Sequence, residues 1–110
     1  MRRLFLFAGY DAQNVVGESL LWHLRALASA GDIVFCADSD MPGCELAKLE
    51  KYTLHREAER HHEYDFGSYK RAFFWAASEL SLSGYDFIYL VNDSVFGPLR
   101  DMTKVFAGME

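Results

Sequence analysis

The most concentrated polar chemistry in this sequence is Asn92-Asp93-Ser94. The triplet ends the apolar run Phe87-Ile88-Tyr89-Leu90-Val91, and Gly97-Pro98 then prevents a simple continuation of that run. An ionised carboxylate at such a place can hold a divalent cation against a diphosphate, or accept hydrogen bonds from ribose hydroxyls. Asn92 and Ser94 add uncharged oxygens. Mg²⁺ keeps several waters of its own, so Asp93 together with substrate phosphates can suffice as its anchor. The same side chains can equally cap a turn or a following helix.

A second cluster is Tyr64-Asp65-Phe66-Gly67-Ser68-Tyr69-Lys70, at the start of a helical pattern. Gly67 lets backbone approach a ligand closely, and the free N–H groups of a first helical turn suit an anion. Lys70 and Arg71 stand within reach of phosphates from there. The competing reading makes Asp65 an N-cap and leaves Lys70 in solvent. Asp65-Phe66-Gly67 also spells a kinase metal-binding triplet, but no glycine-rich loop, strand lysine or catalytic loop accompanies it. His61 and His62 are adjacent, point in different directions and lack a second ligand pair, so they read as a solvated loop. His23 and His55 read as structural.

A chain of 110 residues with 51% hydrophobic and 15% aromatic content is one small packed domain. Its formal charge of -5 argues against nucleic acid, because phosphate-backbone binding needs clustered lysine and arginine. No apolar run approaches membrane-spanning length. Cys36 and Cys44 lack metal-type spacing and read as reduced thiols, which fits the cytosol.

The elements that must position these groups follow from periodicity. Leu4-Phe5-Leu6-Phe7-Ala8 and Ile33-Val34-Phe35-Cys36-Ala37 are continuous apolar runs, as in strands covered on both faces. Between them Val15, Val16, Leu20, Leu24 and Leu27 recur at helical spacing. Asp11 or Asn14 is placed to cap this helix, and Gly31 to end it in the left-handed conformation. Glu45 to Lys51 is a short helical stretch. Tyr52 to Arg56 has strand composition, and Glu57 to Glu63 is a polar loop. From Ser68 the pattern turns helical, with Tyr69, Ala72, Phe73, Ala76 and Leu80 on one face, widened by Phe74 and Trp75 into an aromatic core stripe. The run through Val91 is a fourth strand, expected to be covered on both faces, and Leu99 to Met109 reads as a further helix. Strands alternating with helices predict an α/β fold with an open, mostly parallel sheet and flanking helices. The strand ends Tyr10-Asp11, Asp38-Ser39 and Asn92-Asp93-Ser94 then share one edge, the carboxyl edge where such sheets bind ligands. A sheet this small can leave an edge or apolar face uncovered, which would favour a homodimer.

Together, Tyr64-Asp65-Phe66-Gly67-Ser68-Tyr69-Lys70 and Asn92-Asp93-Ser94-Val95-Phe96-Gly97-Pro98 resemble the two motifs of the rhamnan synthesis protein F family, and Phe7-Ala8-Gly9-Tyr10-Asp11 is similar to that family's first strand end. Where the family carries Glu-Asn-x-Gly before the first motif, this chain has Arg60-His61-His62-Glu63. The resemblance implies a cytoplasmic glycosyltransferase with a GT-A-like, Rossmann-like nucleotide-binding half, acting in rhamnose-containing cell-surface polysaccharide synthesis at the inner face of the membrane. It implies a nucleotide-diphospho-sugar donor such as dTDP-rhamnose, with Mg²⁺ or Mn²⁺, and a glycan acceptor. Asn92, Asp93 and Ser94 would then take the place of an Asp-x-Asp element, with Asp93 the metal ligand. Asp65, Gly67 and Lys70 would meet the nucleotide, and Asp11 and Asp38 would lie near base and ribose. The family's length makes residues 1–110 the donor-binding portion, with an inverting enzyme's general base beyond Glu110. A non-catalytic nucleotide-sugar-binding or scaffold module that lacks the acceptor half is the alternative.

Overall fold

The computed structural model describes residues 2–92. Four parallel strands, β1 (Arg3–Gly9), β2 (Asp32–Ala37), β3 (His55–Ala58) and β4 (Phe87–Asn92), form one sheet in the order β3-β2-β1-β4. The helices are α1 (Glu18–Ala28), the single turn α2 (Gly43–Leu46) and α3 (Tyr64–Glu79). The parallel α/β sheet expected from the sequence is therefore present.

The two central strands are buried on both faces because their side chains alternate between two cores. Phe5, Phe7, Ile33 and Phe35 pack with Leu24 and Leu27 of α1 and with Leu49. Leu4, Leu6, Val34 and Cys36 pack with Ala72 and Ala76 of α3. Strand-to-strand steps in opposite directions thus carry their helices on opposite faces, as two crossovers of the same hand must. His23 of α1 is buried edge-on to the Phe7 ring, and burial lowers its pKa, which keeps it neutral.

Several boundaries differ from the periodic reading, each for a local reason. Val15 and Val16 precede the helix: Asp11 Oδ2 accepts the N–H groups of Gln13 and Val15, and Asn14 turns left-handed at φ 60°. Asp11 and Asn14 therefore shape a loop, and Gly17 stands at the N-cap of α1. Gly31 serves close approach, since a Cβ there would sit 2.4 Å from the Arg3 carbonyl oxygen. Tyr52 and Thr53 belong to the turn before β3, because Tyr52 N and Thr53 Oγ1 both donate to the Leu49 carbonyl. The strand starts only where the chain reaches β2, and Glu57 and Ala58 lie within it.

The face of α3 is also corrected. Its sheet side is built from Gly67, Ser68, Ala72 and Ala76, small residues that let helix and sheet approach. Of the expected face, Ala72 and Ala76 are buried, and Tyr69, Trp75 and Leu80 pack against this core, with Trp75 stacked on His55 at 4.3 Å. Phe73 and Phe74 are exposed and are not core. In β4, Ile88 and Leu90 are exposed, so among the described residues its α3-side face is open. The helix expected at Leu99 to Met109 lies outside the described residues.

Candidate functional site at the carboxyl edge

The chain leaves β1 toward β2 in one direction, and β4 is added on the other side of β1. The carboxyl ends of β1 and β4 therefore flank the switch point of the sheet, the crevice where open α/β sheets bind ligands. Asn92 is paired in register with Ala8 at that point. Asn92 Nδ2 donates to Asp65 Oδ2 over 3.0 Å. The two motif segments, distant in sequence, are thus joined by a direct hydrogen bond. Asp65 sits in the first turn of α3, whose N-cap position is Glu63. Asp93 and Ser94 follow directly and lie outside the described residues.

This bond is testable. In a double-mutant cycle of Asp65→Ala and Asn92→Ala, we expect a coupling of about 1–2 kcal/mol in unfolding free energy, as for a charge-assisted hydrogen bond. Strictly additive single mutants would remove the bond as a link between the motifs.

Behind this pair stands a frame of side chains that hold backbone. Asp38, at the end of β2 and 8% exposed, accepts the N–H groups of His61 (2.9 Å) and His62 (3.1 Å) on Oδ1. Burial alone would raise the pKa of Asp38, but these N–H donors and the neighbouring His61 ring hold it below the ordinary carboxylate value. Ser39, fully buried, accepts the Asp11 N–H and donates to the Asp11 carbonyl. Asn14 Oδ1 accepts the Asp40 N–H, and Asp40 Oδ1 accepts the Arg60 N–H. The loops after β1, β2 and β3 are stitched to one another at the edge.

His61 corrects the expectation of a solvated pair. Its side chain is 1% exposed. Nδ1 accepts the Glu63 N–H, so Nε2 carries the proton and donates to Ser68 Oγ over 2.9 Å. His62 alone is exposed, with φ 59°. Lys70 reaches Glu63 at 3.2 Å, and Arg71 bonds the same carboxylate. Arg71 first and Lys70 second hold the Glu63 pKa low. Arg60 also lies at this edge, where it contacts Asn14 Oδ1 and sits over the Tyr10 ring at 5.8 Å.

The structure therefore brings Asp65, Asn92, Gly67 and Asp38 to one edge, with Asp11 bound into its own loop and Lys70 held by Glu63. The sequence places Ser39 at this edge and Asn14 at a helix cap, but composition and spacing do not mark the framing roles of Asn14, Ser39, Asp40, Arg60, His61 and Ser68. The available signal for His61 was the small pair Gly67-Ser68 one helical turn on, which leaves room for a ring. Among the described residues no three metal-binding side chains converge. A divalent ion would rest on Asp93 and on phosphate oxygens. Two surface depressions, of about 750 and 210 Å³, lie at Leu21, Lys48 and Lys51 and at Gly31, Asp32 and Thr53. Both are open hollows away from the carboxyl edge.

Among the described residues no helix is long and apolar enough to cross a membrane. Comparison with curated proteins gives no match, and comparison with solved structures gives none either. The model of the family described as rhamnan synthesis protein F matches residues 33–110, a stretch that contains both motif segments and the bond between them. With more than half of its length matched, this chain belongs to the rhamnan synthesis protein F family.

Proposed function

We propose that this chain is the nucleotide-sugar-binding part of a glycosyltransferase, transferring rhamnose in cell-surface polysaccharide synthesis on the cytoplasmic side of the membrane. The observation that carries the reading is the Asp65–Asn92 hydrogen bond at the switch point of a parallel sheet. It fixes the first turn of α3 beside the end of β4, and Asp93 is the next residue in sequence after Asn92. Asp93 takes the charge-handling role there. It accepts from the ribose, or anchors Mg²⁺ or Mn²⁺ against the diphosphate. Asp38 and His61 position the loop before α3, and Glu63 keeps Lys70 and Arg71 at the rim, from which either can swing to a phosphate.

The test is calorimetric titration of thymidine diphosphate and uridine diphosphate, with and without Mg²⁺ or Mn²⁺, into the chain and into Asp93→Ala. We expect metal-assisted binding of thymidine diphosphate that weakens about ten-fold or more in Asp93→Ala, the cost of one charge-assisted contact. A folded chain that binds neither nucleotide would overturn the reading.

A further inference from the structure

Among the described residues, three other than glycine have positive φ: Asn14 at 60°, His62 at 59° and Tyr64 at 59°. All three lie at the carboxyl edge, Asn14 in the loop after β1, His62 in the loop after β3 and Tyr64 at the first position of α3. Asparagine and histidine tolerate this conformation better than most side chains. Asn14 also gains from it, since its Oδ1 accepts the Asp40 N–H. Tyr64 has neither advantage. It is a bulky aromatic, and its side chain returns little packing to the fold, because the residue is 82% exposed. Its backbone is nevertheless held from outside: Asp38 takes the N–H groups of His61 and His62 just before it, and the Glu63 N–H is bound by the buried His61 ring. A strained residue that its surroundings over-determine, and that buries nothing, points to a role outside folding.

The place of the ring gives the role. Tyr64 immediately precedes Asp65, whose Oδ2 is bound by Asn92 at the switch point and whose second oxygen can receive a donor. An exposed aromatic residue next in sequence to a carboxylate can serve a ring with one apolar face and hydrogen-bond donors at its edge. We infer that Tyr64 is a stacking platform for a ring of the ligand in the β1–β4 crevice, with Asp65 accepting from the edge of that ring. The inference rests on the ligand-binding reading of this edge given above. Two components of the reaction carry such a ring: the nucleobase of the donor and a pyranose of the glycan.

The experiment uses the full chain and three probes: thymidine diphosphate, a rhamnan oligosaccharide and inorganic pyrophosphate, each titrated into wild type, Tyr64→Ala, Tyr64→Phe and Tyr64→Gly. Tyr64→Ala and Tyr64→Gly should weaken one ring-bearing probe by about ten-fold or more, as loss of a stacked ring does, while Tyr64→Phe stays within about three-fold of wild type. Pyrophosphate affinity should be the same in all four proteins. Loss confined to the nucleotide assigns the base to Tyr64, and loss confined to the oligosaccharide assigns the sugar. Tyr64→Gly relieves the backbone strain, so its melting temperature should hold or rise. A fall of more than about 5 °C would make the ring a structural element and overturn the inference. Ring-bearing probes that bind wild type and Tyr64→Ala equally overturn it too, and leave the nucleotide-sugar reading intact. A folded wild type that binds none of the probes sinks that reading, and this inference with it.

Discussion

Asp38→Ala should destabilise the protein by about 2–4 kcal/mol and unseat the loop before α3. The side chain is buried and accepts the N–H groups of His61 and His62. A buried donor left without a partner costs about 1–3 kcal/mol, and solvent can reach part of this pair once the carboxylate is gone. Asp38→Asn keeps a carbonyl oxygen in place and should recover a large part of the loss. The pH dependence has a defined sign. The folded carboxyl titrates below its ordinary value of 3.8, so its contribution is complete above that pH and disappears as pH falls through the lower folded value. Urea unfolding at neutral pH and along a series toward pH 2 checks both parts. The alanine variant should show a shallower acid limb than wild type. An unchanged midpoint at neutral pH would mean that the loop holds itself without Asp38.

Gly67→Ala is the second large effect, and its sign opposes the usual rule. Within a helix, glycine to alanine gains about 1 kcal/mol from propensity alone. Here the added Cβ would stand 2.3 Å from Glu63 Cβ and 3.0 Å from His61 Cε1. Neither can step aside easily. Glu63 Cβ is fixed to the backbone at the N-cap, and the His61 ring is buried and bonded to Ser68. Overpacking of this kind costs about 1–3 kcal/mol, so a net loss of about 1–2 kcal/mol in chemical denaturation is expected. Because the clash pushes on the turn that carries Asp65, thymidine diphosphate affinity should fall as well. A stabilised Gly67→Ala protein would show that the turn is looser than its hydrogen bonds imply.

The legible parts of the sequence are those where one side chain reports its own environment. The runs Leu4 to Ala8 and Ile33 to Ala37 are apolar without interruption because both faces of β1 and β2 are covered, and this revealed the parallel sheet. Gly67 stood out because glycine inside a first helical turn is uncommon, whereas Asp65 is an acid where helices ordinarily take one and stood out only through its motif. Where partners are backbone atoms, the pattern carries no trace. Asp38 holds residues 23 and 24 positions away through their N–H groups, and Ser39 holds a residue 28 positions back. Nothing about the type of those partners marks them. The same limit explains β3, whose composition favours Tyr52 to Leu54 while its pairing with Val34 to Ala37 selects His55–Ala58. On α3 the aromatic residues dominated the periodic reading, whereas the requirement for close helix–sheet approach selected glycine, serine and alanine.

The stitching of the edge loops has a consequence for how this protein can diverge. Asp38, Asp40, Ser39 and Asn14 grip amide groups, which every residue except proline offers. The side chains of Arg60 and His62 are therefore open to replacement without loss of the frame, whereas the buried His61 ring is itself part of it. Arg60, His61, His62 and Glu63, which stand where the family's Glu-Asn-x-Gly is expected, are held in this way or lie between residues that are. A lineage can rewrite the chemistry facing the crevice one residue at a time while the loop keeps its course. Recognition can drift at this edge at little cost to folding, with proline as the substitution the frame forbids.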